Sequence, residues 1–203
     1  MNNTYPPGSV KKFWVFAIAY LVTSIADMVI TYVGTPDLLL EANPLVTVFG
    51  LGWGALITAN ILGYIIYIAL IYCAFIKYKR KVLQCEGLKQ YLSMLYYDRP
   101  DKFKWIWYKF PKGKNLISGV FAPIGYACAF VSPFIRILAV FGWIIHLSGT
   151  DFCIYCYFGI DHFNINHIEV ISMAIVTVVT GIALVFVWIA REYKINKNAL
   201  SHK

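Results

Sequence analysis

Four groups of residues in this chain carry side chains capable of chemistry. The first lies within apolar sequence: Asp27, Thr31, Asn60 and Arg136. An ionised side chain at the centre of a membrane helix costs about 2.5–3.5 kcal/mol on insertion scales, so an isolated Asp and an isolated Arg are expected to pair. An Asp27–Arg136 pair would serve either as a structural device that fixes helix register or in a catalytic or transport role. The second group is Cys153-Ile-Tyr-Cys156, the spacing of thiol–disulfide exchangers. The third is His146, Asp151, Asp161, His162 and His167, which with the two cysteines supply ligand types suited to zinc. Their spacing contains no His-Glu-x-x-His and no second Cys-x-x-Cys, so no metal is assigned to them. The fourth is a basic and aromatic set, Lys77, Lys79, Arg80, Lys81, Lys102, Lys104, Trp105, Trp107 and Lys109, suited to lipid headgroups or a partner protein.

A membrane must position these groups. Hydrophobic residues make up 60% of the chain, charged ones 14%, and the mean hydropathy is +0.64. Four apolar stretches run over about residues 13–33, 51–76, 118–147 and 168–190. At about 1.5 Å per residue each can cross a hydrocarbon core of about 30 Å. The first is too long for the core of a cleavable signal peptide and lacks a small-residue cleavage site. Of the eighteen Lys and Arg residues, two precede the first stretch, eleven lie between the second and third, and four follow the fourth. The connections at 34–50 and 148–167 have none. Positively charged loops stay in the cytoplasm, so the expected fold is an all-α, four-transmembrane-helix bundle with both termini cytoplasmic. Residues 1–203 then form a single integral domain of the inner (plasma) membrane, with residues 1–10 as a short disordered lead.

The polar residues fall on helix faces. Tyr20, Thr23, Ser24, Asp27 and Thr31 share one side of the first helix, and Asn60, Gly63, Tyr64 and Tyr67 share one side of the second. The third stretch carries a seam of mostly small residues: Ser118, Ala122, Gly125, Ala129, Ser132, Arg136, Ala139, Trp143 and His146. Such a seam lets membrane helices approach closely, within the bundle or between subunits. Pro123 and Pro133 predict a kink or break in it. With His167 and Glu169 at the start of the fourth helix, the intramembrane cluster Asp27, Thr31, Asn60, Arg136, His146, His167 and Glu169 converges toward the outer leaflet. A functional cavity would therefore open outward.

The loop after the first helix holds Glu41-Ala-Asn43-Pro44, which could cap the second helix or fold back onto Asp27 and Thr31. The pattern Asp27-x3-Thr31…Glu41-Ala-Asn43-Pro44, within residues 13–76, resembles the signature of an uncharacterised family of small prokaryotic multi-pass membrane proteins. The resemblance implies a membrane fold and assigns no reaction. That family carries a basic residue in the helix after the Asn-Pro, where this chain offers Asn60. The chain is also similar, through Cys153 and Cys156, to four-helix, quinone-coupled disulfide-forming enzymes. Those enzymes relay electrons through a second extracytoplasmic cysteine pair, whereas Cys73, Cys85 and Cys128 fall elsewhere.

The segment 77–115 holds eleven bases against three acids, Glu86, Asp98 and Asp101. It predicts an amphipathic helix through Leu83, Leu88, Leu92 and Leu95 that ends near Asp98-Arg-Pro100, followed by aromatics interleaved with Lys. At about 39 residues it is too short to bury a core of its own. No Gly-x-Ser-x-Gly and no phosphate-binding glycine loop occurs. The favoured class is a non-enzymatic membrane subunit: an oligomeric sensor, anchor or scaffold. It would couple an outward-facing polar cavity to a cytoplasmic partner at the basic face, as in a multi-gene system such as phage defence. It requires no cofactor. Membrane lipids, a homo-oligomer and a cytoplasmic protein are the expected partners, and direct nucleic-acid binding is not expected. The alternatives are an intramembrane enzyme at the outer leaflet, thiol-redox or metal-dependent, and a small transporter or channel subunit using Asp27 and Arg136.

Overall fold

The computed structural model describes residues 9–39, 43–148 and 165–201 of the 203-residue chain. Four helices among them are long and apolar enough to cross a membrane. Helix α1 is Ser9–Gly34, and a single turn, α2, is Pro44–Thr47. Helix α3, Trp53–Tyr72, continues through a π-helical turn at Cys73–Lys77. Helix α4 is Leu88–Tyr97, and a 3₁₀ turn follows at Phe103–Trp107. The third long helix starts as α5, Lys114–Leu116, passes through a π turn at Ile117–Phe121, and becomes α6, Ala122–Leu147. Helix α7 is Ile165–Ser201.

Two boundaries differ from expectation. Helix α1 begins at Ser9, inside the segment expected to be a disordered lead. Helix α7 runs eleven residues past Ala190, where the apolar stretch ends. Hydropathy misses that extension because its buried stripe is mixed: Trp188, Glu192 and Asn196, one turn apart, are all buried. Pro123 does not break the third long helix. Its ring would crowd the carbonyl four residues back, and the π turn just before it widens the helix, with the Ala122 N–H bonding to the Ile117 carbonyl. Pro133 lies within α6.

The chain divides into two compact units, each assembled from parts of several helices. The first comprises residues up to 17, 67–130 and 181 onward. In it the Phe16 ring stacks on Phe75 at 5.5 Å, and Phe130 meets Phe16 edge-on at 4.8 Å. The Tyr67 hydroxyl donates to the Phe16 carbonyl at 3.1 Å. Three small residues of the expected seam, Ala122, Gly125 and Ala129, are buried here. Gly125 sits so close to the Leu70 carbonyl that any Cβ would overlap it. The two π turns pack against each other.

The basic segment belongs to this unit and is folded. Leu83, Tyr91 and Leu95 are buried in one cluster with Tyr78, Ala122 and Trp188. The expectation that this segment cannot bury a core holds only for the segment alone, because α6 and α7 supply the other side. The expected leucine stripe is also corrected. Leu83 lies before α4, Leu88 is 44% exposed, and the inward face of α4 is Tyr91 and Leu95. Helix α4 ends at Asp98, a left-handed residue (φ 54°) whose N–H bonds to the Met94 carbonyl, two residues before Pro100.

The second unit comprises residues 18–66 and 131–180. Its polar stripe faces inward: Ser24, Asp27 and Thr31 are buried, while Ile25 and Val29 between them are exposed. That inversion suits hydrocarbon surroundings, in which apolar side chains lose nothing by facing out and polar ones must find partners. Trp143 of α6 lies against Gly34, where a Cβ would come within 2.5 Å of its ring. The small-residue seam is thus used within the chain.

Gly125 and Gly142 provide a paired test. Gly125→Ala pushes a methyl into the Leu70 backbone and is expected to lower stability by about 1–3 kcal/mol. Gly142→Ala, with no neighbour within 4 Å, is expected to be neutral or to stabilise by up to about 1 kcal/mol through helix propensity. Equilibrium unfolding in mixed micelles reads both, and equal effects would contradict the close approach at Gly125.

Candidate functional site

Two clusters of polar side chains stand out, one in each unit. In the second unit, Arg136 forms an ion pair with Asp27 through one guanidinium nitrogen. The other nitrogen donates to Asn60 Oδ1 at 2.6 Å. Asn60 Oδ1 also accepts from the Ser24 hydroxyl at 3.3 Å, and its Nδ2 donates to the Leu56 carbonyl at 3.0 Å. The guanidinium lies 5.9 Å from the centre of the Tyr20 ring, which stacks on Tyr64. Spacings of four, three and four residues put Tyr20, Ser24, Asp27 and Thr31 on one face of α1, toward the cation carried by α6.

The pair expected between Asp27 and Arg136 is therefore present, and Asn60 joins it. Thr31 is buried on the same face. A charge-neutral pair saturated with donors is well suited to locking the register of three helices against one another. His167 and Glu169 lie on the backbone of α7, but their side chains, and that of His146, lie outside the described residues. Glu41, Asp151, Cys153, Cys156, Asp161 and His162 also lie outside them. Among the described residues no three metal-ligating side chains come together, and Cys73, Cys85 and Cys128 are free thiols.

Asn43 does cap a helix, but not the expected one. Its side-chain oxygen accepts from the Leu45 N–H at 3.0 Å, and its carbonyl accepts from Val46 N–H at 2.8 Å. With Pro44 at the first helical position, it starts the single turn α2 ahead of α3.

The second cluster, in the first unit, was legible in the sequence only through Arg80. Glu192 of α7 is buried, and Arg80 grips it with two bonds of 2.7 Å. The Tyr78 hydroxyl donates to the same carboxylate at 3.0 Å. One turn further along α7, Asn196 accepts from the Leu83 N–H at 2.7 Å and donates to the Leu83 carbonyl at 2.9 Å. It satisfies both backbone groups of Leu83, as a neighbouring strand would. The Tyr78–Trp188 and Tyr91–Tyr193 ring pairs flank these contacts at 5.2 and 5.5 Å. Burial first, then the charges of its neighbours, pushes the Tyr78 phenol far above its ordinary range, so it stays a donor. Tyr91 is shifted the same way, again chiefly by burial. The hydrogen bond to Glu192 raises Arg80.

Several residues of the basic set have partners within the chain. Arg80, assigned to lipid or a partner, is consumed internally by Glu192. Lys102 pairs with Asp101 at 2.9 Å, and both Lys102 and Lys109 lie over the Trp105 ring, at 4.8 and 4.0 Å. Lys81 is 3.9 Å from Asp98. Lys77, Lys79 and Lys104 are exposed, Trp105 is half-buried, and the side chain of Trp107 lies outside the described residues.

Arg136→Met alone leaves Asp27 uncompensated and is expected to cost about 3–5 kcal/mol. Asp27→Leu with Arg136→Met removes both charges and is expected to recover most of that loss in the same mixed-micelle unfolding. A double variant as unstable as the single one would show that the pair does not act as a unit.

Comparison of the chain with protein-family models, with curated proteins and with solved structures finds no match in any of the three. What the chain is therefore follows from its own geometry: among the described residues, an all-α fold with four helices long and apolar enough to span a membrane, the hallmark of a multi-pass membrane protein.

Proposed function

We propose that this chain is a non-enzymatic, four-pass anchor or scaffold of the plasma (inner) membrane, working as a homo-oligomer. It holds a prefolded basic platform against the cytoplasmic surface for a protein partner. The observation that carries this reading is the clamp of Glu192 and Asn196 on Tyr78, Arg80 and Leu83. A segment that served only as a loop between two membrane helices would need no buried carboxylate, no bidentate arginine and no backbone-mimicking asparagine. Here a membrane helix continues past its apolar part expressly to meet that segment.

Charge supports the orientation. Lys11 and Lys12, the bases of residues 77–114, and Arg191, Lys194 and Lys197 flank helix ends that all belong on one side of a bilayer. The connection at 34–50 has no Lys or Arg. The Asp27–Arg136–Asn60 cluster fits a supporting role, as a register lock that holds the membrane part in one arrangement.

The test is cross-linking in cells followed by purification of the full-length tagged chain and native mass spectrometry. The expected result is an oligomer carrying a cytoplasmic protein that is lost in Glu192→Ala/Asn196→Ala and kept in Asp27→Asn. A bare monomer carrying a quinone or metal mass would overturn the reading in favour of an enzyme. So would a partner that stays bound when the clamp is removed.

A further inference from the structure

The stretch 102–114 contains five lysines and no acid. It is not a free loop. The Lys102 N–H donates to the Ser93 hydroxyl at 2.8 Å, and the Tyr97 hydroxyl donates to the Lys109 carbonyl. Tyr97 also meets the Trp105 ring edge-on at 5.7 Å, and Asn115 donates to Asp98 at 2.7 Å. The segment is thus pinned onto α4 at both ends and in the middle. Yet Tyr108 and Phe110 project with 72% and 76% of their surface exposed, beside the exposed Lys104, Lys109, Lys112 and Lys114.

Position gives these exposed rings a partner. Lys114 begins the third long apolar helix, and its π turn packs against the one that ends the second at Lys77. Phe110 lies four residues before Lys114, so chain geometry keeps it within about 14 Å of the point where that helix enters hydrocarbon. Aromatic rings at that level find the bilayer interface, and lysines beside them find lipid phosphates. We infer that residues 103–112 form a preorganised anchor for anionic phospholipid. Tyr108 and Phe110 insert into the interfacial layer, and Lys104, Lys109 and Lys112 engage the headgroup phosphates. This inference rests on the membrane spans and on the exposed rings and lysines of this segment, and it stands or falls separately from the cytoplasmic protein partner proposed above.

The probe is phosphatidylglycerol mixed in equal parts with phosphatidylcholine, presented to the full-length protein in micelles and read by native mass spectrometry. The wild-type chain is expected to retain phosphatidylglycerol preferentially. Lys104→Gln/Lys109→Gln/Lys112→Gln is expected to reduce that preference by about fivefold or more, while Lys→Arg at the same positions keeps it. Raising the salt concentration should weaken the preference in the same direction. Amide exchange over 103–112 supplies a readout that needs no substitution, and slower exchange in phosphatidylglycerol nanodiscs than in phosphatidylcholine ones is expected. No preference in the wild type, an unchanged preference in the Gln variant, or equal exchange in both nanodiscs would overturn the inference. Protection of 103–112 by an acidic soluble protein, without any from phosphatidylglycerol, would give the surface to a protein instead.

Discussion

A buried carboxylate constrains this structure more than any other single group. Glu192 sits on α7 just beyond its apolar stretch, where neither lipid nor open water solvates it. An uncompensated charge there would cost several kcal/mol, so its position is tenable only with Arg80 and Tyr78 in place. Those two residues in turn fix the path of the chain as it leaves the π turn at Cys73–Lys77. Asn196 then captures both backbone groups of Leu83, and the chain is delivered to α4 with Tyr91 and Leu95 facing Ala122 and Trp188. The small core follows from the clamp, and the clamp follows from the need to satisfy one charge.

The same logic operates in the second unit with a different outcome. Asp27 and Arg136 each demand a partner within apolar helices that hold no other charge nearby in sequence, and they find each other, with Asn60 taking the second guanidinium nitrogen. In hydrocarbon a saturated cluster of this kind specifies which faces of three helices meet, because any rotated arrangement strands a charge. Specificity here comes from polar satisfaction, whereas close approach comes from Gly34 against Trp143, as it does from Gly125 against Leu70 in the first unit.

Much of this was legible in the residues. Hydropathy placed the four long helices to within a few residues at most ends, since about twenty apolar residues in a row have few other fates. Asp27 and Arg136 could be paired because the lack of competing charges left each only one strong partner. What escaped was whatever depended on tertiary contact between distant segments. Nothing local singled out Glu192 and Asn196, and Arg80 read as one more surface base, because no short-range pattern shows that residues about 110 positions apart will meet. Leu88 was placed in a buried stripe it does not join: it is the first residue of α4 and stays exposed, while Tyr91 and Leu95 further along turn inward. Asn43-Pro44 offered a cap for the second helix or a fold back onto Asp27 and Thr31, and periodicity could not show that it starts a separate turn, α2, ahead of α3.

Amide hydrogen exchange of the full-length chain in nanodiscs tests the central claim most directly. If the Glu192–Asn196 clamp builds a folded platform, the amides of Leu83 and of 91–97 will exchange slowly, close to the rate of 188–196 on α7. If residues 78–97 exchange as fast as an unstructured peptide while α7 stays protected, there is no platform, and the basic segment is only a loop between two membrane helices.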